Sequence, residues 1–497
     1  MKRKLNIKLI SILMLTTLLL LGCTNNAALG TDSLLTEDFN DINPESISSY
    51  NMEVILDSDN KLYTGKQITT YVNNSDNILS EIYFHIYPNA YKTLENAPIL
   101  FDRFNKDLIS YKEGHLEVLR VVINDQDVEY SVIGEDETIL KVELGESLNP
   151  SQSIDIHMEY SGKLPSSGDR FGYGQRTMNF GNWYPIACVY DEDRWNLEPY
   201  YKIGDPFYSD VSNYNVRIIT DSDIIVASSG NILSERVEEN KRVYDIEANL
   251  MRDFAWVASK DFKIKEGIVD GTTIKLYYLD AKNTMIKHSL NVGINALKIY
   301  NKIFGKYPYS HCSIVMTEFP SGMEYPGIVF INNDYVIFNQ KDMLETVIVH
   351  ETAHQWWYGI VGSNQIEEAW LDEALTTYSE YIYYKEAYGI SKGEDYLTRN
   401  ILDGYEYGKR YLGEDTRVNK HLRDFTGWDD YGILVYTKGA MLFNEINKDY
   451  GEEVFYEILA EYFNKYKFKN ATTEDLINIC EDVTNDDLTN LVEKWIY

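Results

Sequence analysis

The chain has 497 residues, 44% of them hydrophobic and 13% aromatic, which is enough apolar material for two or three domains with sizeable cores. Its 78 acidic residues against 46 basic ones give a formal net charge of -32, a balance that repels phosphate backbones and argues against nucleic acid as a partner. Nothing in the composition indicates a disordered, collagenous or multi-span membrane chain.

The chain opens with Lys2, Arg3, Lys4 and Lys8, followed by an apolar run over 9–21. That run is short for a membrane-spanning helix and reads as an export signal. It ends in Leu20-Leu21-Gly22-Cys23, which resembles the lipobox of bacterial lipoproteins. The resemblance implies cleavage after residue 22 and lipidation of Cys23, which would hold the protein at the outer face of a bacterial membrane without a spanning helix. Residues 23–45 are polar, small and acidic and are expected to form a flexible tether. Cys188, Cys312 and Cys480 are then the remaining cysteines, an odd number that argues against a disulfide framework.

Over 46–265 the pattern is mostly β. Alternation is visible in Tyr50-Asn51-Met52-Glu53-Val54, Gln67-Ile68-Thr69-Thr70-Tyr71, Ser153-Ile154-Asp155-Ile156 and Tyr214-Asn215-Val216-Arg217, with turn-forming clusters between the runs. One more strand is expected at 273–278, and then the period changes. Helices are expected over 284–304, 341–359, 367–388, 436–449, 452–466 and 473–497, placing a second domain at 266–497.

The chemistry-bearing segment is Val347-Ile348-Val349-His350-Glu351-Thr352-Ala353-His354. Histidines four apart on a helix lie on one face, a turn apart, and can share a tetrahedral metal. Glu351 follows the first of them and can face a metal-bound water as general base. A chance HExxH is expected on the order of once in a hundred chains of this histidine content, so the motif carries weight. A third ligand is needed, and Glu373 lies 19 positions after His354, in the next helical segment. Spacing alone does not select it from Glu367, Glu368, Asp372 and Glu380, most of which would be expected to be solvated helix-face charges.

HExxH, eighteen residues and a glutamate within Trp370-Leu371-Asp372-Glu373-Ala374-Leu375 resembles the aminopeptidase N family of zinc metallopeptidases, the gluzincins. Two further motifs carry the resemblance. Gly322-Met323-Glu324-Tyr325 looks like the family's Gly-x-Met-Glu-Asn strand, and Tyr436-Thr437-Lys438-Gly439 like its Tyr-x-Lys-Gly segment. The resemblance implies an α+β protein: an N-terminal β-sheet saddle domain followed by a thermolysin-like, mainly helical catalytic domain. It implies one Zn²⁺ on His350, His354 and Glu373, with Glu351 and Tyr436 catalytic. It also implies a substrate-binding strand at Gly322, Met323 and Glu324, with Glu324 holding the substrate's α-amino group and the strand's backbone pairing with the peptide. The activity implied is removal of N-terminal residues from peptides with a free amine. A zinc endopeptidase and a non-catalytic peptide-binding surface lipoprotein are the alternatives.

Three departures accompany the resemblance. Tyr325 stands where asparagine is usual. The N-domain Gln or Glu that helps to bind the amine is unclear, with Asn182-Trp183-Tyr184-Pro185 marking the region and Gln175 the candidate. The helical C-terminal domain of larger relatives is not present in the sequence.

Overall fold

A computed structural model describes residues 33–100 and 111–497. The presumed signal and Cys23 lie outside them. Alternating burial along Ser49–Asp57 and Leu62–Val72 is the pattern of a half-covered sheet, and these strands sit in the middle of an eight-stranded one. Its other long members are Ser212–Asp221, Lys241–Met251 and Ser153–Lys163, and the pairing of Ser49–Asp57 with Ser212–Asp221 is parallel. Two four-stranded sheets and the two-stranded pair Tyr190–Asp191 and Arg194–Trp195 complete the β part, and aromatic side chains pack its interior. Phe180 stacks on Trp256 at 3.6 Å, with Trp183 edge-on to both.

A five-stranded sheet begins the second part, in the order Lys263–Val269, Thr272–Tyr278, His311–Thr317, Ile328–Asn332, Gly322–Met323. The expected boundary at 265/266 therefore falls inside the strand Lys263–Val269, whose partner is Thr272–Tyr278. A change of period marks the first helix, not the first strand of a sheet that precedes it. Helix Asn283–Ile303 packs against this sheet and against helix Lys341–Ala353. Helices Trp370–Tyr388, Gly439–Tyr450 and Glu452–Tyr466 follow, and the expected 473–497 helix is two, Thr473–Thr484 and Thr489–Trp495. The break comes at Asn485, which adopts a left-handed conformation (φ 52°) and caps the first of them.

The expected tether is corrected from Ser33 onward. Leu34 bridges to Tyr309, and Leu34, Phe39 and Ile42 pack on the core. Asn40 donates to the carbonyls of Lys465 and Lys467, and Asp38 pairs with Lys467. The segment is irregular, so it shows no period, yet its apolar side chains are half-buried against the core. Cys188, Cys312 and Cys480 are buried free thiols, and no helix among the described residues is long and apolar enough to cross a membrane.

Candidate metal centre and substrate cleft

Helix Lys341–Ala353 buries Leu344, Ile348, Val349 and Ala353 against the sheet, which turns His350 and Glu351 toward a cavity of about 430 Å³. His354 caps the helix, its N–H on the His350 carbonyl. Helix Trp370–Tyr388, buried over most of its length, brings Glu373 to the same point from its first turn. His350 Nε2 and His354 Nε2 are 3.1 Å apart, and Glu373 Oε2 lies 3.2 Å from each.

The second nitrogens decide what this triangle is. His350 Nδ1 lies 2.6 Å from Glu380 Oε1, and His354 Nδ1 lies 3.0 Å from the carbonyl of Trp357. Both acceptors require a proton on Nδ1, so both Nε2 atoms present lone pairs to each other and to a carboxylate oxygen. Three lone pairs about 3 Å apart repel unless a cation lies among them. Zn–N and Zn–O bonds of about 2.0–2.1 Å in tetrahedral geometry put ligand atoms roughly 3.3 Å apart, so the donor set fits zinc. Glu373 is held below the usual carboxylate range despite its burial, by His354 and His350 beside it.

Among the carboxylates left open by spacing, the structure selects Glu373 and corrects the expectation that Asp372 and Glu380 are solvated. Glu380 is buried and also accepts from the Tyr396 hydroxyl, so it orients His350. Asp372 is buried and accepts from Gln365 at 2.6 Å, and burial with Glu373 beside it pushes its carboxyl to about 7. Glu368 accepts from the Thr473 N–H, and Glu367 is part-exposed.

Glu351 is buried, and its Oε2 has no hydrogen-bond partner among the described residues. Burial and the neighbouring Glu373 outweigh the two histidines and raise it to about 7. Its other oxygen lies against Gly322: a Cβ there would stand 2.0 Å from Oε1 and 2.7 Å from Val347 Cγ1. Only glycine permits that approach.

Gly322–Met323 is the edge of the five-stranded sheet, antiparallel to Ile328–Asn332, so its outer side is free to pair with a peptide. Gln355, one residue past His354, ties the strand to the metal helix by donating to the carbonyls of Glu324 and Tyr325 and accepting from the Gly327 N–H. Glu324 lines the cavity, and burial with Asp205 nearby raises its carboxyl well above the ordinary range. Tyr325 points away from the cleft. Its hydroxyl donates to Asn182 Oδ1 at 2.7 Å, and Asn182 donates to Asp253. The space it needs lies over Gly181, where a Cβ would meet the phenol oxygen at 1.9 Å.

Tyr436 sits in a π-helical stretch, Gly432–Lys438, just before helix Gly439–Tyr450, rather than opening an α-helix. Wide turns of this kind recur at functional sites because they re-aim a side chain. The Tyr436 ring stacks on His350 at 5.9 Å and its hydroxyl donates to Glu373 Oε1.

The β part contributes Arg170 and Asp205, an ion pair lining the cavity that the sequence reading missed. Gln175, the candidate from the motif region, is exposed, uses its backbone N–H on Glu318, and does not line the cavity. Asn182, Trp183 and Tyr184 are core residues. Gly204-Asp205-Pro206 carries no periodic signal, and only the fold brings it beside Glu324.

Residues 288–495 match the family model described as "Peptidase family M1 domain". Among curated proteins, the chain is 24% identical over 300 residues to "Aminopeptidase M1-D" of rice, covering 57% of this chain and 34% of that one. It is 27% identical over 226 residues to "Probable aminopeptidase 1" of Sulfurisphaera tokodaii, covering 41% and 28%. The chain thus spans about a third of the length of the curated relatives it matches. The fold is that of the M1 zinc metallopeptidase from Deinococcus radiodurans, with TM-score 0.65 at 15% identity over 91% of this chain and 93% of that one. A mutant of that protein bound to a Tyr-Ser-Ala substrate superposes with TM-score 0.63.

Proposed function

We propose that this chain, whose residues 288–495 match the peptidase family M1 domain, is a zinc aminopeptidase that removes N-terminal residues from peptides. The observation that carries the reading is the cavity wall itself. The His350–His354–Glu373 triangle, the unpartnered Glu351 oxygen and the buried Glu324 carboxylate all face one space beside a free sheet edge.

When bound, Zn²⁺ polarises the scissile carbonyl and lowers the pKa of the attacking water. His350, His354 and Glu373 hold the ion, with Glu380 and the Trp357 carbonyl fixing the two rings. Glu351 takes the water's proton and returns it to the leaving amine, a task suited to a carboxylate near pH 7. The Tyr436 hydroxyl, which donates to Glu373 Oε1 in the resting site, turns its one proton to the oxyanion that develops at the carbonyl. The strand Gly322–Met323 pairs with the peptide backbone and sets its register. Asp205 has Arg170 as its counter-ion, whereas the buried Glu324 has none, and the α-ammonium of a substrate would supply it, setting the first peptide bond beside the His350–His354–Glu373 site.

The basic start, the apolar run and Leu20-Leu21-Gly22-Cys23 support export and lipidation, which would place the enzyme at the outer face of a bacterial membrane. The test of the activity compares a free peptide with its N-acetylated copy, with and without chelator. Chelator-sensitive cleavage of the free peptide only is expected, and equal cleavage of both would overturn the aminopeptidase reading.

A further inference from the structure

The Glu324 carboxylate is buried at the cavity wall, and among the described residues one hydrogen-bond donor reaches it. That donor is Gln365 Nε2, which lies 3.5 Å from Glu324 Oε1 and 2.6 Å from Asp372 Oδ2. A side-chain amide nitrogen carries two N–H groups, so each carboxylate takes one. The amide turned the other way would set its oxygen against both carboxylates, so these two acceptors fix its orientation. The arrangement leaves Gln365 Oε1 and Asp372 Oδ1 buried without a hydrogen-bond partner among the described residues. Each such atom costs stability, so the bridge is maintained against a penalty.

Gln365 is itself held in place. It is 1% exposed and lies in the irregular turn between the helix of His350 and the helix of Glu373. Asn364 Oδ1 accepts from the N–H groups of Ile366 and Glu367, and the Ile366 carbonyl accepts from the Leu422 N–H. Asp372 is the neighbour of Glu373 in the first turn of its helix. Contacts therefore run from that helix through Asp372 and Gln365 to the Glu324 carboxylate. Gln355, the neighbour of His354, donates to the Glu324 carbonyl at 3.4 Å. Main chain and carboxylate of Glu324 are thus each tied to a segment that carries a metal-site residue. A glutamate held by its main chain alone could still turn about its side-chain bonds. We propose that Gln365 is a positioning residue, whose amide bridges Asp372 to Glu324 and holds the Glu324 carboxylate where it meets the substrate's α-ammonium. The inference rests on the aminopeptidase reading, which puts the ammonium at Glu324.

The test compares the wild-type protein with two variants. Q365M keeps the length of the side chain and removes both donors, and Q365N keeps the amide but is one methylene too short for the bridge. Zinc content and a thermal unfolding scan check that each is loaded and folded. A panel of aminoacyl anilides first finds the best substrate of the wild-type protein. Competitive inhibition is then measured for the amino acid that this anilide releases and for its α-hydroxy analogue, which has no ammonium. The inhibition constant of the amino acid is expected to rise about tenfold in Q365M and less in Q365N, with that of the hydroxy analogue unchanged. KM for the anilide should rise with it. An amino-acid inhibition constant unchanged in both variants overturns the proposal. An equal rise for amino acid and hydroxy analogue also overturns it, since the substitution would then loosen the whole cavity. Loss of zinc does the same, because the bridge would then serve Glu373 through Asp372. Absence of anilide cleavage by the wild-type protein, or equal inhibition of it by the two probes, would instead overturn the aminopeptidase reading.

Discussion

The Tyr436 hydroxyl donates to Glu373 Oε1 at 2.5 Å, while Oε2 of the same carboxylate is shared at 3.2 Å by His350 and His354. One carboxylate thus touches both imidazoles and the phenol that the proposed mechanism turns to the reacting carbonyl. Tyr436→Phe removes only the donor. Because an oxyanion donor acts in the transition state, kcat should fall by about 10²–10³ with KM and bound zinc nearly unchanged. Steady-state kinetics with metal analysis on the same preparation checks this, and a changed zinc content would show that the hydroxyl holds the ligand instead.

Glu351→Gln keeps the volume and removes the proposed base. The side chain is not a ligand, so zinc should be retained while turnover drops by about 10²–10⁴. If purified Glu351→Gln hydrolysed peptides at the wild-type rate, the proton route through this residue would be wrong.

Glu380 orients His350 through Nδ1 and is itself held by Tyr396. Glu380→Gln should weaken zinc binding about 10- to 100-fold, measured by chelator competition on the folded protein. Tyr396→Phe should weaken it less, since it touches the carboxylate and not the ring.

Acid should destabilise the fold through two buried histidines far from the metal. Burial pushes His85 down to about 3 and His311 to about 4, so both are neutral in the folded chain. An unfolded chain takes up these protons below about pH 6.5. Stability therefore falls as pH drops from about 7 toward 4, by on the order of 3 kcal/mol per histidine. His85 Nδ1 has no partner and its ring stacks on Tyr87 at 4.5 Å, so phenylalanine can take its place. Urea midpoints of wild type and His85→Phe should converge or cross in favour of the variant between pH 7.5 and 5; parallel curves would exclude this contribution.

The sequence by itself determined what depends on local spacing and residue type. His350 and His354 share a helix face by period, the apolar run before them marks that helix as buried, and Glu351 follows from its place between the ligands. Helices such as Glu452–Tyr466 lie where their period puts them. Glu373 needed the likeness to a known family, because five carboxylates stood at similar spacing and only packing decides which are buried. Tertiary structure alone decided the rest. It showed Glu380 to be the partner of His350, turned Tyr325 into the core over Gly181, and replaced Gln175 by Asp205 and Arg170 at the cavity. These residues act across contacts 30 or more positions apart or from irregular segments, where neither period nor composition carries a signal.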